Sequence, residues 1–427
     1  MSIEFACSCG KSLKAPEGSG GRRAKCPRCG EILTVPQRQT AEIPLQSAPR
    51  AAHSPMRPSP QPLTTPMPAQ TPTITARPLH EYPITPHRTF RSYSYLFLLL
   101  ALIPLILVTF QPQSEDTLLD KTVESVAAHP EIKSAVEHVL ESDEATLEDL
   151  YAVLPGHHFE GAMLPRESKA HWLMALAAAV GFFALLLFAF SNALKYAKGL
   201  IFAGIFTGTV GIVLLLAFQW AAYTLPWFAP RGVIGLVLLI IKLIGMSYAL
   251  ADSNYGFIPS FLGFTFGVGL CEEVTKAIPL LFRIRSTPGE EEATWNTMLI
   301  WGLASGIGFG IAEGIMYSGR YYNGMSGPGI YYVRFISCVL LHAMWAGAVG
   351  ITMYNRQSWL HDADGGWSYC FHVVLIVLVP MILHGLYDTL LTQKHEAWAL
   401  VVAVASFGWL MFQIERMWHK PPEIVTA

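Results

Sequence analysis

Seven residues in the C-terminal half of the chain carry acid–base or metal chemistry yet sit in stretches otherwise almost free of charge. Glu272, Glu273 and Lys276 lie in Cys271-Glu272-Glu273-Val274-Thr275-Lys276, and Glu313 closes Gly306-Ile307-Gly308-Phe309-Gly310-Ile311-Ala312-Glu313. His342 sits in Leu341-His342-Ala343-Met344-Trp345, and His384 and Asp388 bracket His384-Gly385-Leu386-Tyr387-Asp388. On helices, Glu272 and Lys276 share a face at i, i+4, with Glu273 about 100° around, and His384 and Asp388 share a face in the same way. A charge near a bilayer centre costs at least about 2.5–3.5 kcal/mol on insertion scales, so such groups face one another or a wet cavity. Taken singly, each pattern is commonplace. A Glu–Lys pair in a helix is more often structural than catalytic, and a lone His on an apolar helix is usually just hydrogen-bonded. Together, on four consecutive apolar helices, they are most simply explained by one shared polar site. Carboxylates, imidazoles and an amine gathered in one such site can transfer protons or bind a metal ion.

The elements that must position these groups are membrane helices. Of 427 residues 52% are apolar and only 14% are Asp, Glu, Lys or Arg, against about 25% in soluble chains. The mean hydropathy of +0.38 excludes a wholly soluble protein, and the fold class expected is an all-α polytopic membrane protein. Its net charge of −2 sums unlike regions. Residues 1–93 hold 12 Lys or Arg against five Asp or Glu, whereas 111–170 hold four against 13. With no secretory signal before the first apolar stretch, the N-terminus is expected to be retained in the cytoplasm of a multi-pass protein of the cell membrane. The first membrane helix is expected at 93–110, preceded by Arg88 and Arg91 in agreement with the positive-inside rule. An acidic extracytoplasmic helical region follows at 111–170, where Val123, Val126, Ile132, Val136, Val139 and Leu140 recur at helical spacing. A polytopic domain occupies 171–416, with candidate spans at 171–191, 199–224, 232–250, 257–282, 295–318, 330–354, 367–391 and 397–414. Nine strictly alternating spans would put Arg283, Arg285, Arg356, Arg416 and Lys420 outside; one re-entrant early candidate would bring them all inside.

At the N-terminus, 1–35 reads as a zinc-ribbon-like module. Cys7-Ser8-Cys9-Gly10 and Cys26-Pro27-Arg28-Cys29-Gly30 supply two close thiol pairs, each followed by glycine, as a structural four-cysteine Zn²⁺ site needs. The first knuckle is a tight Cys-x-Cys, and the alternatives are free thiols or local disulfides. So short a segment needs the metal's binding energy to fold. Arg22, Arg23, Lys25 and Arg28 have no interleaved aromatics, which argues for a solvated face and against nucleic acid. A cytoplasmic partner for the ribbon is compatible with this. Residues 36–92 read as a disordered linker, 36–90 holding 13 of the 29 prolines.

Glu272-Glu273-x2-Lys276, Phe309-x3-Glu313, His342 and His384-x3-Asp388 occur in the order and spacing of the PrsW-type intramembrane proteases, relatives of the CAAX prenyl endopeptidases, and the chain resembles that family over about 250–392. Gly306-x-Gly308 and Tyr317 add to the likeness, whereas Gly314 stands where the family often has Asn. The resemblance implies an endopeptidase cleaving membrane-associated or membrane-anchored proteins at the lipid bilayer. By similarity to the wider superfamily, Glu272 is the general base, with Glu273 and Glu313 positioning it or the water. Lys276 would stabilise one anion, and His342 and His384, the latter oriented by Asp388, would supply oxyanion donors. Glu272, Glu313, His342 and His384 are also a legitimate zinc ligand set, so a metal-dependent version stays open. A transporter would cluster charges too, although the span pattern shows no inverted repeat, and a non-catalytic scaffold would tolerate Glu272→Gln.

Overall fold

A computed structural model describes residues 2–7, 12–16, 19, 21–26 and 32–36, then 100–107 and 109, and then 118–419 apart from 143, 191–192, 225–231, 252–255 and 287–293. The chain forms two compact units. In the N-terminal unit, β1 (Ser2–Ala6) pairs antiparallel with β2 (Ser12–Pro16), and β3 (Arg23–Lys25) with β4 (Ile32–Thr34). Ala15, Ala24 and Val35 form a small core against Ile3 and Phe5. Cys7 directly follows β1, Cys26 directly follows β3, and both are buried. Cys9, Cys29 and nearly all of the expected linker lie outside the described residues.

The second unit is helical. After α1 (100–107), three short helices precede the bundle: α2 (Leu118–Ala128), α3 (Lys133–Leu140) and α4 (Leu147–Val153). Among the described residues, eight helices are long and apolar enough to cross a membrane: α5 (Ala170–Ala189), α6 (Ala193–Thr224), α7 (Val233–Ala251), α8 (Phe257–Arg285), α9 (Trp295–Tyr322), α10 (Pro328–Asn355), α11 (Gly366–Thr392) and α12 (Glu396–His419). The protein is therefore a multi-pass membrane protein. α9 and α10 are the most enclosed, whereas α5 and α7 present most of their length outward.

Close contacts fix the helix directions. Gly302 lies against Ala346, Gly306 against His342 and Gly350 against Met298, so α9 and α10 are antiparallel. Gly199 meets Trp301, Gly204 meets Ala304 and Gly208 meets Gly308, so α6 runs parallel to α9. In α8, the Lys276 carbonyl accepts from the Ser305 hydroxyl at 2.7 Å, while Leu280 and Met298 both meet Gly350; α8 is antiparallel to α9. Gly263 rests on Ala251 and Gly267 on Tyr248, which makes α7 antiparallel to α8 and hence parallel to α6. Strict alternation thus breaks once, between α6 and α7. In consequence the basic helix ends gather on one side: Arg283 lies over Tyr196 and Trp301, Arg285 over Tyr369, and Trp418 packs on Trp295. Charge alone left open whether one early candidate is re-entrant; here the early helices α6 and α7 instead run parallel.

The acidic region docks at the opposite end. Val136, Leu150, Tyr151, Leu154 and Phe159 form its core, and Thr146 caps α4 in a reciprocal pair with Asp149. The Thr146 hydroxyl and amide hold the Asp149 carboxyl below its ordinary value. That cap therefore contributes fully above the unfolded-state pKa and weakens as pH falls through the lowered folded-state value. A strap from Phe159 to Leu164 exchanges backbone hydrogen bonds with Gly324 (2.8 and 2.7 Å), and Met163 donates to Ser326 (2.9 Å). These bonds tie the unit to the turn between α9 and α10.

Glycine permits this close helix packing, because without a hydrophobic driving force in lipid, backbones must approach closely for dispersion to hold them. A Cβ on Gly306 would collide with the His342 carbonyl, whereas one on Gly181 meets nothing within 4 Å. Gly306→Ala is expected to lower stability by about 1–3 kcal/mol and Gly181→Ala to leave it unchanged or raise it by up to about 1 kcal/mol. Unfolding titrations in mixed micelles check both; equal midpoints would contradict this packing.

Candidate active site

The four helices that carry the seven residues converge on one buried network, and local irregularities aim them. A π-helical segment, Phe264–Gly269, precedes Glu272 in α8; a second, Ser318–Tyr322, follows Glu313 in α9; a third, Val333–Cys338, precedes His342 in α10. One extra residue in a turn rotates everything beyond it, which is why such turns recur at functional sites. Gly385 lets α11 rest on the backbone of Thr265, inside the first of these segments, and this approach brings His384 to α8.

The network is continuous. Lys276, fully buried, donates to Glu273 Oε1 at 2.6 Å and to His342 Nδ1 at 2.9 Å, and lies 3.7 Å from Glu272 Oε2. An ammonium can only donate, so His342 accepts at Nδ1 and carries its proton on Nε2. That nitrogen donates to Glu313 Oε2 at 2.5 Å, and the second oxygen of Glu313 accepts from Arg334 at 3.1 Å. His384 Nδ1 pairs with Glu273 Oε1 at 3.0 Å; its Nε2 lies 3.3 Å from Asp388 Oδ2 and 3.6 Å from Glu272 Oε2. The hydrogen bond that orients His384 thus comes from Glu273 across the helix interface, with Asp388 on the opposite nitrogen. Glu272 is 8% exposed and its Oε2 has no hydrogen-bond partner among the described residues. Four carboxylates face two basic side chains, Lys276 and Arg334, leaving negative charge to be balanced by protons or by a further cation. A cavity of about 290 Å³ adjoins the network, with Glu313, Arg334, His342, His384 and Asp388 in its wall. Glu272 is not in that wall but lies beside both histidines.

All seven expected residues meet here, and three others join them. Arg334 also donates to the Tyr322 hydroxyl at 2.9 Å and stacks over Tyr317 at 4.0 Å. Trp345 stacks on His384 at 4.4 Å and anchors to Ser406 of α12 at 3.0 Å. Phe309 covers Lys276, its ring centre 4.6 Å from the ammonium. Near the start of an apolar helix, Arg334 looks like an ordinary interfacial anchor, and only the i, i+3 relation of Trp345 to His342 hinted at a shared face. At Gly314, a Cβ would sit 2.9 Å from the Phe335 ring, so a side chain there needs that ring to shift.

Residues 212–414 match the family model described as PrsW family intramembrane metalloprotease. The match spans every residue of the network and leaves out residues 1–211. On this evidence the bundle is an intramembrane protease, a peptide hydrolase. No curated protein and no solved structure matches the chain.

The family description implies a metal, and the residues fit one. Glu272, His342 and His384 offer ligand atoms that all lie within 4.8 Å of one another, and the unpartnered Glu272 oxygen belongs to this trio. Two imidazoles and a carboxylate are a zinc-type donor set. His342 has a lone pair at Nε2 only when its Nδ1 carries the proton, and that arrangement requires Lys276 to face it as an uncharged amine.

Removing Lys276 leaves Glu273 as an uncompensated buried charge. Lys276→Met is expected to destabilise the fold by about 3–5 kcal/mol, and adding Glu273→Gln to recover much of the loss without restoring activity. A double-mutant cycle on unfolding midpoints checks this; additive losses would contradict the pairing.

Proposed function

We propose that the chain is an endopeptidase that cleaves membrane-anchored proteins, with Glu272 activating the attacking water. The carrying observation is the buried Glu272 Oε2, without a hydrogen-bond partner among the described residues, set beside two histidines that line the cavity. Water admitted between His342 and His384 gives its proton to Glu272 as its oxygen adds to the scissile carbonyl carbon. The same carboxyl then returns the proton to the leaving amine as the C–N bond breaks. Glu273 and Lys276 hold one another and set the two imidazoles. With both oxygens engaged, Glu313 positions His342. Asp388 steadies the outer nitrogen of His384.

The donor trio supports a second, metal-dependent reading of the same hydrolysis. A divalent ion held by Glu272, His342 and His384 would acidify a bound water and polarise the carbonyl. Glu272 would then be a ligand, and the proton would need another acceptor.

The remaining assignments follow the charge distribution. The basic helix ends mark the cytoplasmic side, so the N-terminal ribbon is cytoplasmic, the acidic region of 111–170 extracytoplasmic, and the membrane the cell membrane. Cys7, Cys9, Cys26 and Cys29 hold a structural Zn²⁺, and the module tethered by 36–92 meets a cytoplasmic partner or the substrate.

Three measurements test these statements. In quantitative membrane proteomes, Glu272→Gln and His384→Ala cells should accumulate at least one membrane protein uncut relative to wild type; identical fragment patterns would sink the protease reading. Metal content in a Cys7→Ser/Cys26→Ser background separates the two mechanisms. About one ion per chain, lost with His342→Ala, supports the metal-dependent version, and active metal-free protein supports the glutamate version. An impermeant thiol reagent applied to intact cells should label Glu144→Cys and spare Arg356→Cys; the reverse pattern would invert the topology.

A further inference from the structure

Water addition to a peptide carbonyl puts a negative charge on oxygen, and that charge needs a donor already in place. The histidines first expected in this role are engaged. His342 accepts from Lys276 and gives its Nε2 proton to Glu313. His384 is bonded to Glu273 at one nitrogen and flanked by Asp388 and Glu272 at the other. Arg334 is clasped by Glu313 and Tyr322.

One side chain in the cavity wall is free of such commitments. Tyr387 lines the cavity and is 3% exposed, and its hydroxyl has no hydrogen-bond partner among the described residues. A buried donor left unsatisfied costs about 1–3 kcal/mol, and such groups are rare enough in folded proteins that each calls for a reason. Other buried hydroxyls without a hydrogen-bond partner among the described residues, such as those of Ser260 and Thr265, are not in this wall. Three residues beyond His384 on α11, Tyr387 shares its helix face, and Trp345 bridges the two rings, stacked on His384 and edge-on to Tyr387 at 6.1 Å. The phenol is thereby held beside the imidazole that neighbours Glu272.

We propose that Tyr387 is a further catalytic residue, whose hydroxyl donates a hydrogen bond to the carbonyl oxygen of the scissile peptide bond. This rests on the hydrolytic reading above. As the water oxygen bonds to the carbonyl carbon and its proton passes to Glu272, the C=O π pair moves onto oxygen, where the Tyr387 O–H holds it. The pair returns as the C–N bond breaks and the amine takes the proton from Glu272. Tyr387 keeps its own proton throughout, so the step balances without any other reactant. The substrate supplies the acceptor that the resting site lacks.

The test uses the full-length chain in membranes and, as its probe, the membrane protein that accumulates uncut with Glu272→Gln. Tyr387→Phe should leave the unfolding midpoint at or above that of wild type, since the unsatisfied hydroxyl is removed, and lower kcat about 10²–10³-fold, with KM little changed. Turnover by Tyr387→Phe equal to wild type, with Glu272→Gln inactive, overturns the assignment and leaves the protease reading standing. If Tyr387→Phe folds poorly, 3-fluorotyrosine and 3,5-difluorotyrosine at this position decide the matter. Turnover that changes with phenol acidity supports the assignment, and turnover indifferent to it overturns it. A wild-type chain no more active than Glu272→Gln sinks the hydrolytic reading itself, and this inference with it.

Discussion

Lys276 carries an amine into a place with no exposure at all, and everything around it answers to that fact. Its partners come from its own helix, through Glu273, and from α10, through His342; α9 contributes the Phe309 ring that covers it. Breaking a buried pair costs far more than the intact pair contributes, because the remaining charge has no water to turn to. The three helices are thus bound to one another by a penalty for separating. The contact also fixes which nitrogen of His342 bears a proton, and through it how Glu313 is engaged. A lysine that looks like a local i, i+4 partner of Glu272 therefore sets hydrogen-bond polarity from α8 to α10.

Such a network requires backbones closer together than most helix pairs allow. Gly302, Gly306 and Gly350 line the seam between α9 and α10, and Gly385 rests α11 on Thr265. Ser305 then donates to the Lys276 carbonyl and shares a hydrogen bond with Thr207. That carbonyl lies within the regular α-helical part of α8, so the residue bearing the key charge is held by side chain and backbone alike. The glycines are needed because of the charges: a looser bundle would admit lipid or leave Lys276 without its second partner.

The sequence makes the membrane helices legible because apolar runs of this length have few other uses, and it makes the site legible because each charge inside them is costly. Within a helix, spacing reveals who shares a face, so Glu272 with Lys276 and His384 with Asp388 could be paired. Spacing says nothing about which helix stands opposite. The closest hydrogen bonds of Lys276 and His384 consequently involve Glu273, which within-helix i, i+4 spacing assigns to neither of them. The π-helical segments are hidden for a related reason, since one inserted residue changes facing without changing composition. Arg334 escaped notice because an arginine near a span's end is ordinary there; what makes it unusual is that it turns inward to Glu313 between two tyrosine rings. Helix direction was underdetermined by charge alone, and only the close contacts between helices show that α6 and α7 run parallel.

The turn joining α9 to α10 links the acidic unit to this chemistry. Asn323, fully buried, donates to the Ser168 carbonyl at 2.8 Å and accepts from Ser318 and Tyr331. Ser318 opens the π-helical segment that follows Glu313, and Tyr331 lies two residues before the segment that contains Arg334. One carboxamide thus stitches together the two ends that present the Glu313–Arg334 pair, with the acidic unit as its third attachment. A buried amide satisfied on every side resists displacement, because each bond lost strands a polar atom. The separation of Glu313 from Arg334 is therefore set from outside the membrane core as well as within it, and the acidic unit belongs mechanically to the active site although it lies beyond the region matched to the protease family.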